Sequence, residues 1–186
     1  SAECSIDLGR FTHSTLMDDE AQRLADHADD MSNLHLWVDD APGITMAEIR
    51  AKARRLARER PLGLMVVDYI GLISAVGKVE SRQIEIAQYS RALKMLAKEL
   101  DCPVVVVVQL SRQAEMNGAP RLHHLRESGA LEQDADKVLL LSRSDGGDLT
   151  VDLAKNRSGQ LGSVELTPVL HYCRFMDQKW SPGGYQ

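Results

Sequence analysis

Two short apolar runs constrain the fold of this chain more than any other feature of its sequence. Leu64–Val67 and Val104–Val108 are continuous rather than alternating, a pattern typical of parallel strands that are buried on both faces. Between them, apolar residues recur at helical spacing across about Ser81–Leu100. A strand, a helix and a second strand of these lengths form a right-handed crossover. The sequence therefore predicts an α/β fold with a mostly parallel central sheet flanked by helices.

The segments on either side of this crossover have patterns of their own. Residues 1–33 are polar and predict a mostly helical lead-in, followed by a short strand at Leu34–Val38 and a capped helix from Thr45 to about Arg60. Beyond residue 125, four short strands joined by glycine-containing turns predict an antiparallel hairpin extension: Lys137–Leu141, Leu149–Ala154, Ser163–Thr167 and Tyr172–Met176. We expect one domain over residues 1–177, with an α/β core at 34–177 and a tail at 178–186.

Composition and charge exclude several classes of protein. Of the 186 residues, 44% are hydrophobic, as is usual for a globular chain, and the longest apolar run is far too short to span a bilayer. No secretory signal is visible, and the three cysteines are scattered, so we expect a reducing, cytoplasmic setting. The net charge is −5; the first 40 residues, with ten acids and two bases, carry −8, which leaves +3 for the rest.

Polar residues end both apolar runs. Asp68 follows the first run and Gln109 the second, and ligands of open parallel sheets bind beyond the carboxyl ends of the strands. An aspartate at such a strand end holds Mg²⁺, usually through water, in nucleotide hydrolases. A glutamine on the neighbouring strand can hydrogen-bond a γ-phosphate. The alternative, that Asp68 only caps a helix or turn, stays open at this point.

The sequence lacks the phosphate-binding loop Gly-x-x-x-x-Gly-Lys-Ser/Thr. Its nearest approach, from Gly71 to Gly77-Lys78-Val79, has five residues between the glycines and a valine in the place of the hydroxyl that binds Mg²⁺. We therefore expect these 186 residues alone to have no self-contained ATP site and no ATP hydrolysis.

Two polar segments are candidates for contacts with phosphate. Leu125–Asp136 contains Arg126 close to Gly129, and an exposed arginine with backbone N–H groups beside a glycine can hold a nucleic-acid phosphate. Lys155 and Arg157 lie two residues apart at a predicted hairpin tip, on one strand face. Such a pair suits insertion into a neighbour's phosphate site as an arginine finger. A solvated loop and a merely soluble hairpin end are the alternatives.

The order of these segments resembles a known family. The motifs are Val66-Val67-Asp68-Tyr69, Glu80-Ser81-Arg82-Gln83 leading into Ser90–Lys94 and Leu96–Leu100, Gln109-Leu110-Ser111-Arg112, Leu125–Asp136 and Ala154–Gly159. Together they resemble the RecA-like motor domain of bacterial replicative helicases of the DnaB type, from about residue 14 to Asp177. The Arg-Glu-Ser-Gly and Glu-Gln-Asp-Ala-Asp strings carry the most specific part of the resemblance.

The resemblance implies a hexameric ring that encircles single-stranded DNA, unwinds duplex with ATP bound between subunits, and works with a primase and a helicase loader. It implies Asp68 as the acid associated with Mg²⁺ and Gln109 as the γ-phosphate sensor. Arg126, Glu127 and Gly129 would contact the DNA backbone. Lys155 and Arg157 would act on the nucleotide of the adjacent subunit. The family's phosphate loop and catalytic glutamate have no counterpart in this sequence.

Three positions depart from the family pattern. Gly71 replaces a glutamine, Val108 a hydroxyl-bearing or small residue, and His124 an acid. Two other functions stay open on the sequence: a non-enzymatic RecA-like module that binds or loads a helicase, and a fragment of a RecA-like recombination or repair ATPase.

Overall fold

The structure is a computed structural model that describes residues 2–77, 81–111, 120–125, 129–144 and 146–177, with the backbone alone for Asp29. Within these residues, the helices are α1 (Leu8–Thr12), α2 (Asp18–Ser32), α3 (Met46–Glu59), α4 (Arg82–Leu100) and α5 (Gly129–Asp134). The strands are β1 (Met65–Val67), β2 (Val104–Val106), β3 (Lys137–Arg143), β4 (Leu149–Asn156), β5 (Gly162–Val169) and β6 (Arg174–Asp177). Single 3-10 turns lie at Ile70–Leu72, Leu122–His124 and Leu170–Tyr172.

The contacts divide the chain into two compact units. One comprises residues 40–140 and 152–162, and the other residues 1–39, 141–151 and 163–186. Those predicted site residues that the structure describes belong to the first unit. In the second unit, the buried carboxylate of Glu20 accepts hydrogen bonds from the guanidinium of Arg10 (3.1 Å) and the amide of Met17 (2.9 Å). These bonds tie the start of α2 to α1.

The first unit contains the predicted crossover. β1 and β2 pair in parallel, with Val67 opposite Val106, and α4 connects them. Ser81 caps α4 by accepting from the amide of Ile84. Thr45 and Glu48 form the predicted capping box at the start of α3. The expectation of an α/β fold with these two helices is confirmed.

The core of this unit lies on one face of the small parallel sheet. Its buried members are Ile70, Ile73, Ile86, Tyr89 and Leu93, against which Met65, Val67, Val104, Val106 and Val108 pack. The intervening residues Val66 and Val105 are 56% and 48% exposed. The prediction that both faces of the strands are buried is therefore wrong for the described residues, because helices cover only one face of the two-strand sheet.

A second sheet forms the predicted extension, with strand order β3-β4-β5-β6. β5 and β6 are antiparallel, with Thr167 opposite Met176, and all four strands fall within two residues of their predicted starts. The strand predicted at Leu34–Val38 is wrong: no strand or ladder pairing forms at these residues, and Val38 is 81% exposed. A strand needs a neighbour to satisfy its backbone groups, and no neighbouring strand pairs with this segment in the described residues.

Candidate functional site

Asp68 and Gln109 lie at the carboxyl ends of adjacent parallel strands. The pairing continues past β1 and β2, because the amide of Val107 donates to the carbonyl of Val67 (2.9 Å) and that of Ile70 donates to Val107 (3.1 Å). This register places Asp68 abreast of Val107, two residues before Gln109. Both polar side chains are exposed. The structure therefore brings the two predicted residues to one edge of the sheet, with both side chains open to solvent.

The carboxylate of Asp68 is not used as a cap. The 3-10 turn that follows begins at Ile70, with Tyr69 at its N-cap position and no side-chain capping hydrogen bond. Within the part of the chain that the structure describes, Asp68 has no ion-pair partner. Asp68 therefore does not cap this turn, and its carboxylate is exposed to solvent at the end of β1.

A partly buried polar network fixes the loop that follows Asp68. The guanidinium of Arg82 donates to the carbonyl of Gly71 (2.5 Å) and to the carboxylate of Glu85 (2.6 Å). The hydroxyl of Tyr89 donates to the other oxygen of Glu85 (2.6 Å). Burial and the Glu85 carboxylate raise the pKa of Tyr89 to about 12, whereas the bond from Tyr89, followed by Arg82, lowers the pKa of Glu85. α4 thus holds the loop by charge-assisted hydrogen bonds.

Gly71 packs closely against the ring of Tyr69. A Cβ atom added to Gly71 would clash with Cε2 of Tyr69. In this arrangement of the loop, a larger side chain at position 71 requires the Tyr69 ring to move. At the second departure from the family pattern, the side chain of Val108 packs against the core.

Gln109 borders a cavity of about 110 Å³. Its wall contains Ile86, Val108, Leu110, Ser111, His124, Leu125 and Leu131. The hydroxyl oxygen of Ser111 is buried there without a hydrogen-bond partner among the described residues. The end of the Gln109 strand is therefore in contact with the segment that leads into residues 126–128.

His124 anchors that segment. Its side chain is 4% exposed, its Nδ1 accepts from the amide of Arg121 (3.0 Å), and its carbonyl accepts from the amide of Ser111 (3.2 Å). Burial, followed by the charges of His123 and Arg121, lowers the pKa of His124, so the ring is neutral near pH 7. The imidazole acceptor closes a turn across three residues, a role that the acid of the family pattern can also perform.

The predicted DNA-contacting residues Arg126 and Glu127 lie outside the described residues. Gly129 is described: it is the exposed first residue of α5, and no atom lies within 4 Å of where its Cβ would be. The structure therefore locates the end of this segment, at the start of a short helix.

Lys155 and Arg157 both contact the segment that runs from the end of α5 to β3. The ammonium of Lys155 donates to the carbonyls of Glu132 and Gln133 (3.5 Å to the latter). The guanidinium of Arg157 lies 3.2 Å from the carboxylate of Asp136 and its amide donates to the Asp136 carbonyl (2.9 Å). Arg157 still exposes 62% of its side chain. Lys155 lies in β4, whereas Arg157 follows the end of this strand, and both are anchored to the segment before β3, a contact that the sequence pattern did not indicate.

Asp136 joins this hairpin to α4 as well. The ammonium of Lys94 donates to the second carboxylate oxygen of Asp136, and the hydroxyl of Ser90 donates to Asp134 (2.9 Å). Lys94 first, and then Arg157, lower the pKa of Asp136. Only the folded chain brings these residues together, since Lys94 and Asp136 are 42 positions apart, and no local sequence pattern links them.

Two kinds of feature are absent from the part of the chain that the structure describes. No group of three or more His, Cys, Asp or Glu side chains is placed to hold a metal ion there. No described helix is both long enough and apolar enough to cross a membrane.

Comparison with known proteins matches nearly the whole chain. The family model described as "DnaB-like helicase C terminal domain" matches residues 1–177. The "Replicative DNA helicase DnaB" of Mycobacterium intracellulare is 46% identical over 185 residues, which is 94% of this chain and 32% of that protein. The chain therefore spans about a third of the length of this relative.

Solved structures agree with these matches. A solved structure described as an ATPase domain superposes with a TM-score of 0.89 at 31% identity, covering 96% of this chain and 68% of that one. The structure of a DnaB-like replicative helicase described with its interactions with primase has the same TM-score and identity, and covers 96% of this chain and 46% of that one. The resemblance and the fold class predicted from the sequence are confirmed.

Proposed function

Because the chain belongs to the DnaB-like helicase C-terminal domain family, we propose that it is part of an ATP-dependent replicative DNA helicase motor. The complete motor translocates on single-stranded DNA and unwinds duplex as a hexameric ring, and residues 1–177 form part of its RecA-like domain. The observation that carries the proposal is the position of Asp68 and Gln109 at adjacent strand ends, both exposed. In open parallel sheets this edge is where ligands bind.

The donor set at this edge fits a magnesium nucleotide. Asp68 offers a solvent-exposed carboxylate, and Mg²⁺ is bound by one or two carboxylates together with waters and phosphate oxygens. The metal, when bound, neutralises charge that develops on the phosphates. Asp68 would hold the metal through a water molecule, and the side-chain amide of Gln109 would donate a hydrogen bond to the γ-phosphate. The phosphate loop comes from polypeptide outside these 186 residues, so the isolated chain does not hydrolyse ATP.

The remaining site residues contact DNA and the neighbouring subunit. Arg126, Glu127 and Gly129 form the segment that touches the DNA backbone, and the anchoring of the preceding residues 120–125 through His124, next to Ser111, supports this proposal. Lys155 and Arg157 act in trans on the nucleotide of the adjacent subunit. The exposed guanidinium of Arg157 supports this role, because a finger has to reach beyond its own chain. Single-stranded DNA, identical subunits, a primase and a helicase loader are the partners.

Substitution of Asp68 in the complete helicase tests the proposal. Asp68→Asn keeps the shape of the side chain and removes its charge, so we expect DNA-stimulated ATP turnover to fall by roughly 100-fold or more. Asp101→Asn is the matched control, since Asp101 is an exposed residue in the left-handed conformation that asparagine tolerates. Its turnover should stay within about twofold of the wild type. Wild-type turnover in Asp68→Asn would contradict the proposed site.

The non-enzymatic alternative makes the opposite prediction. A complete ring that binds DNA without any magnesium-dependent ATP turnover would favour an interaction or helicase-loading module. Turnover by the isolated 186 residues, lost in Asp68→Asn, would contradict the division of the site between this chain and other polypeptide.

A further inference from the structure

The contacts of Arg157 show how a trans-acting arginine can be held in place. Its backbone amide donates to the carbonyl of Asp136 (2.9 Å), and its guanidinium lies 3.2 Å from the carboxylate of the same residue. Asp136 therefore fixes Arg157 at two points, one on the main chain and one on the side chain. Together they restrict both the base of the side chain and its direction.

Asp136 is itself fixed from the opposite side. Its second carboxylate oxygen accepts from Lys94 of α4, and two residues earlier Asp134 accepts from the hydroxyl of Ser90 (2.9 Å) and pairs with Arg91 (3.5 Å). Lys94 is 17% exposed, so α4 presents a largely buried cation to this position. Asp136 thus connects α4 with Arg157 through its two carboxylate oxygens.

The exposure of the Arg157–Asp136 ion pair indicates that it positions Arg157 rather than stabilises the fold. Both side chains of the Arg157–Asp136 pair are more than half exposed, and exposed ion pairs contribute little to the stability of a fold. A guanidinium has five N–H donors, of which the described contact uses one nitrogen. The remaining donors stay free to meet phosphate oxygens while Asp136 holds the group.

We infer that Asp136 is a positioning residue for ATP hydrolysis: it aims Arg157 at the nucleotide of the adjacent subunit. The inference rests on the proposed trans role of Arg157 and adds a residue to it. Without the carboxylate, the guanidinium samples directions that do not reach the transferring phosphoryl group.

The test uses the complete helicase with Asp136→Asn and, as matched control, Asp101→Asn. Asp136→Asn keeps the backbone carbonyl and the side-chain shape but loses the charge that holds Arg157. Asp101→Asn makes the same substitution at an exposed aspartate at the C-terminal end of α4. We expect kcat for DNA-stimulated ATP hydrolysis to fall by about 10- to 100-fold in Asp136→Asn, because a misplacement of about 1 Å can cost on the order of 100-fold. It should stay within about twofold of the wild type in Asp101→Asn, and KM should change little in both.

A second measurement separates aiming from a structural role. An arginine finger contributes mainly in the transition state, so Asp136→Asn should weaken binding of ADP with aluminium fluoride and leave binding of ATPγS unchanged. The ratio of the two affinities does not depend on how much of the protein is folded. Equal weakening of both ligands, an equal loss of kcat in Asp101→Asn, or wild-type kcat in Asp136→Asn would each overturn the inference.

Arg157→Ala shows which of the two ideas has failed. Loss of turnover in Arg157→Ala together with wild-type turnover in Asp136→Asn would refute the positioning role alone. Wild-type turnover in Arg157→Ala would refute the trans role of Arg157, and the inference about Asp136 with it.

Discussion

Removal of the Tyr89 hydroxyl tests whether the network of Arg82, Glu85 and Tyr89 stabilises the loop that follows Asp68. Tyr89→Phe deletes the donor to the buried carboxylate of Glu85 and leaves the ring in the core. A hydrogen bond to a charged group contributes about 1.5–3 kcal/mol, so we expect the free energy of unfolding to fall by about 2 kcal/mol. For a domain of this size that corresponds to a Tm lower by about 4–8 °C.

Thermal and urea denaturation measure this loss, and a titration of the tyrosine absorbance provides an independent check. The pKa of Tyr89 is raised to about 12, so its share of the stability is complete below the unfolded pKa of about 10 and is lost as the pH rises through the folded value. Tyr172→Phe is the matched control and should change stability by less than about 0.5 kcal/mol. A Tyr89→Phe variant as stable as this control would refute the network as a support for the loop.

Three further predictions follow from the site. Gly71→Ala should lower the free energy of unfolding by about 1–3 kcal/mol, because the added Cβ clashes with the Tyr69 ring. Gly63→Ala should lower it far less, because no described atom lies within 4 Å of the added Cβ. Comparable losses of stability in urea denaturation would contradict the packing argument. The pKa of His124 is lowered in the folded state, so the stability that the neutral ring contributes is complete above pH ~6.5 and is lost as the pH falls through the folded pKa. Between pH 7.5 and 5.5, the Tm of His124→Asn should therefore fall by less than the Tm of the wild type. An equal fall in both proteins would contradict the lowered pKa. Arg126→Ala in the complete ring should weaken single-stranded DNA binding and reduce the slope of log K against log salt by about 1, measured by fluorescence anisotropy; an unaltered slope would exclude Arg126 from phosphate contact.

The local elements of this fold could be predicted from the sequence because their signals are local. The capping box of Thr45 and Glu48, the Ser81 cap of α4 and the two valine-rich runs each fix an element within a few residues. The positions of Asp68 and Gln109 at one sheet edge followed from the rule that parallel strands bring their carboxyl ends together.

Other features depend on pairings that no local pattern encodes. Leu34–Val38 has the composition of a strand, but a strand also requires a hydrogen-bonding neighbour, and none pairs with it in the described residues. The apolar runs predicted two buried faces, whereas the burial of Val66 depends on which elements cover the sheet.

The supporting residues of the site were the hardest to predict. Asp136 belongs to the Glu-Gln-Asp-Ala-Asp motif of the family, yet its contacts with Lys94 and Arg157 join three separate parts of the fold. His124 stood out only as a departure from the family pattern, and its role as an acceptor for the Arg121 amide appears in the folded turn. In both cases the chemistry belongs to the tertiary arrangement rather than to the neighbouring sequence.

The most direct test of a nucleotide site at these strand ends is a structure of the complete ring with Mg²⁺ and ATPγS. The account predicts that the Asp68 carboxylate lies about 4–5 Å from the metal, joined to it through one coordinated water, with the Gln109 amide hydrogen-bonded to the γ-phosphate. A nucleotide bound at another edge of the sheet, with both side chains beyond the reach of a bridging water, would contradict it.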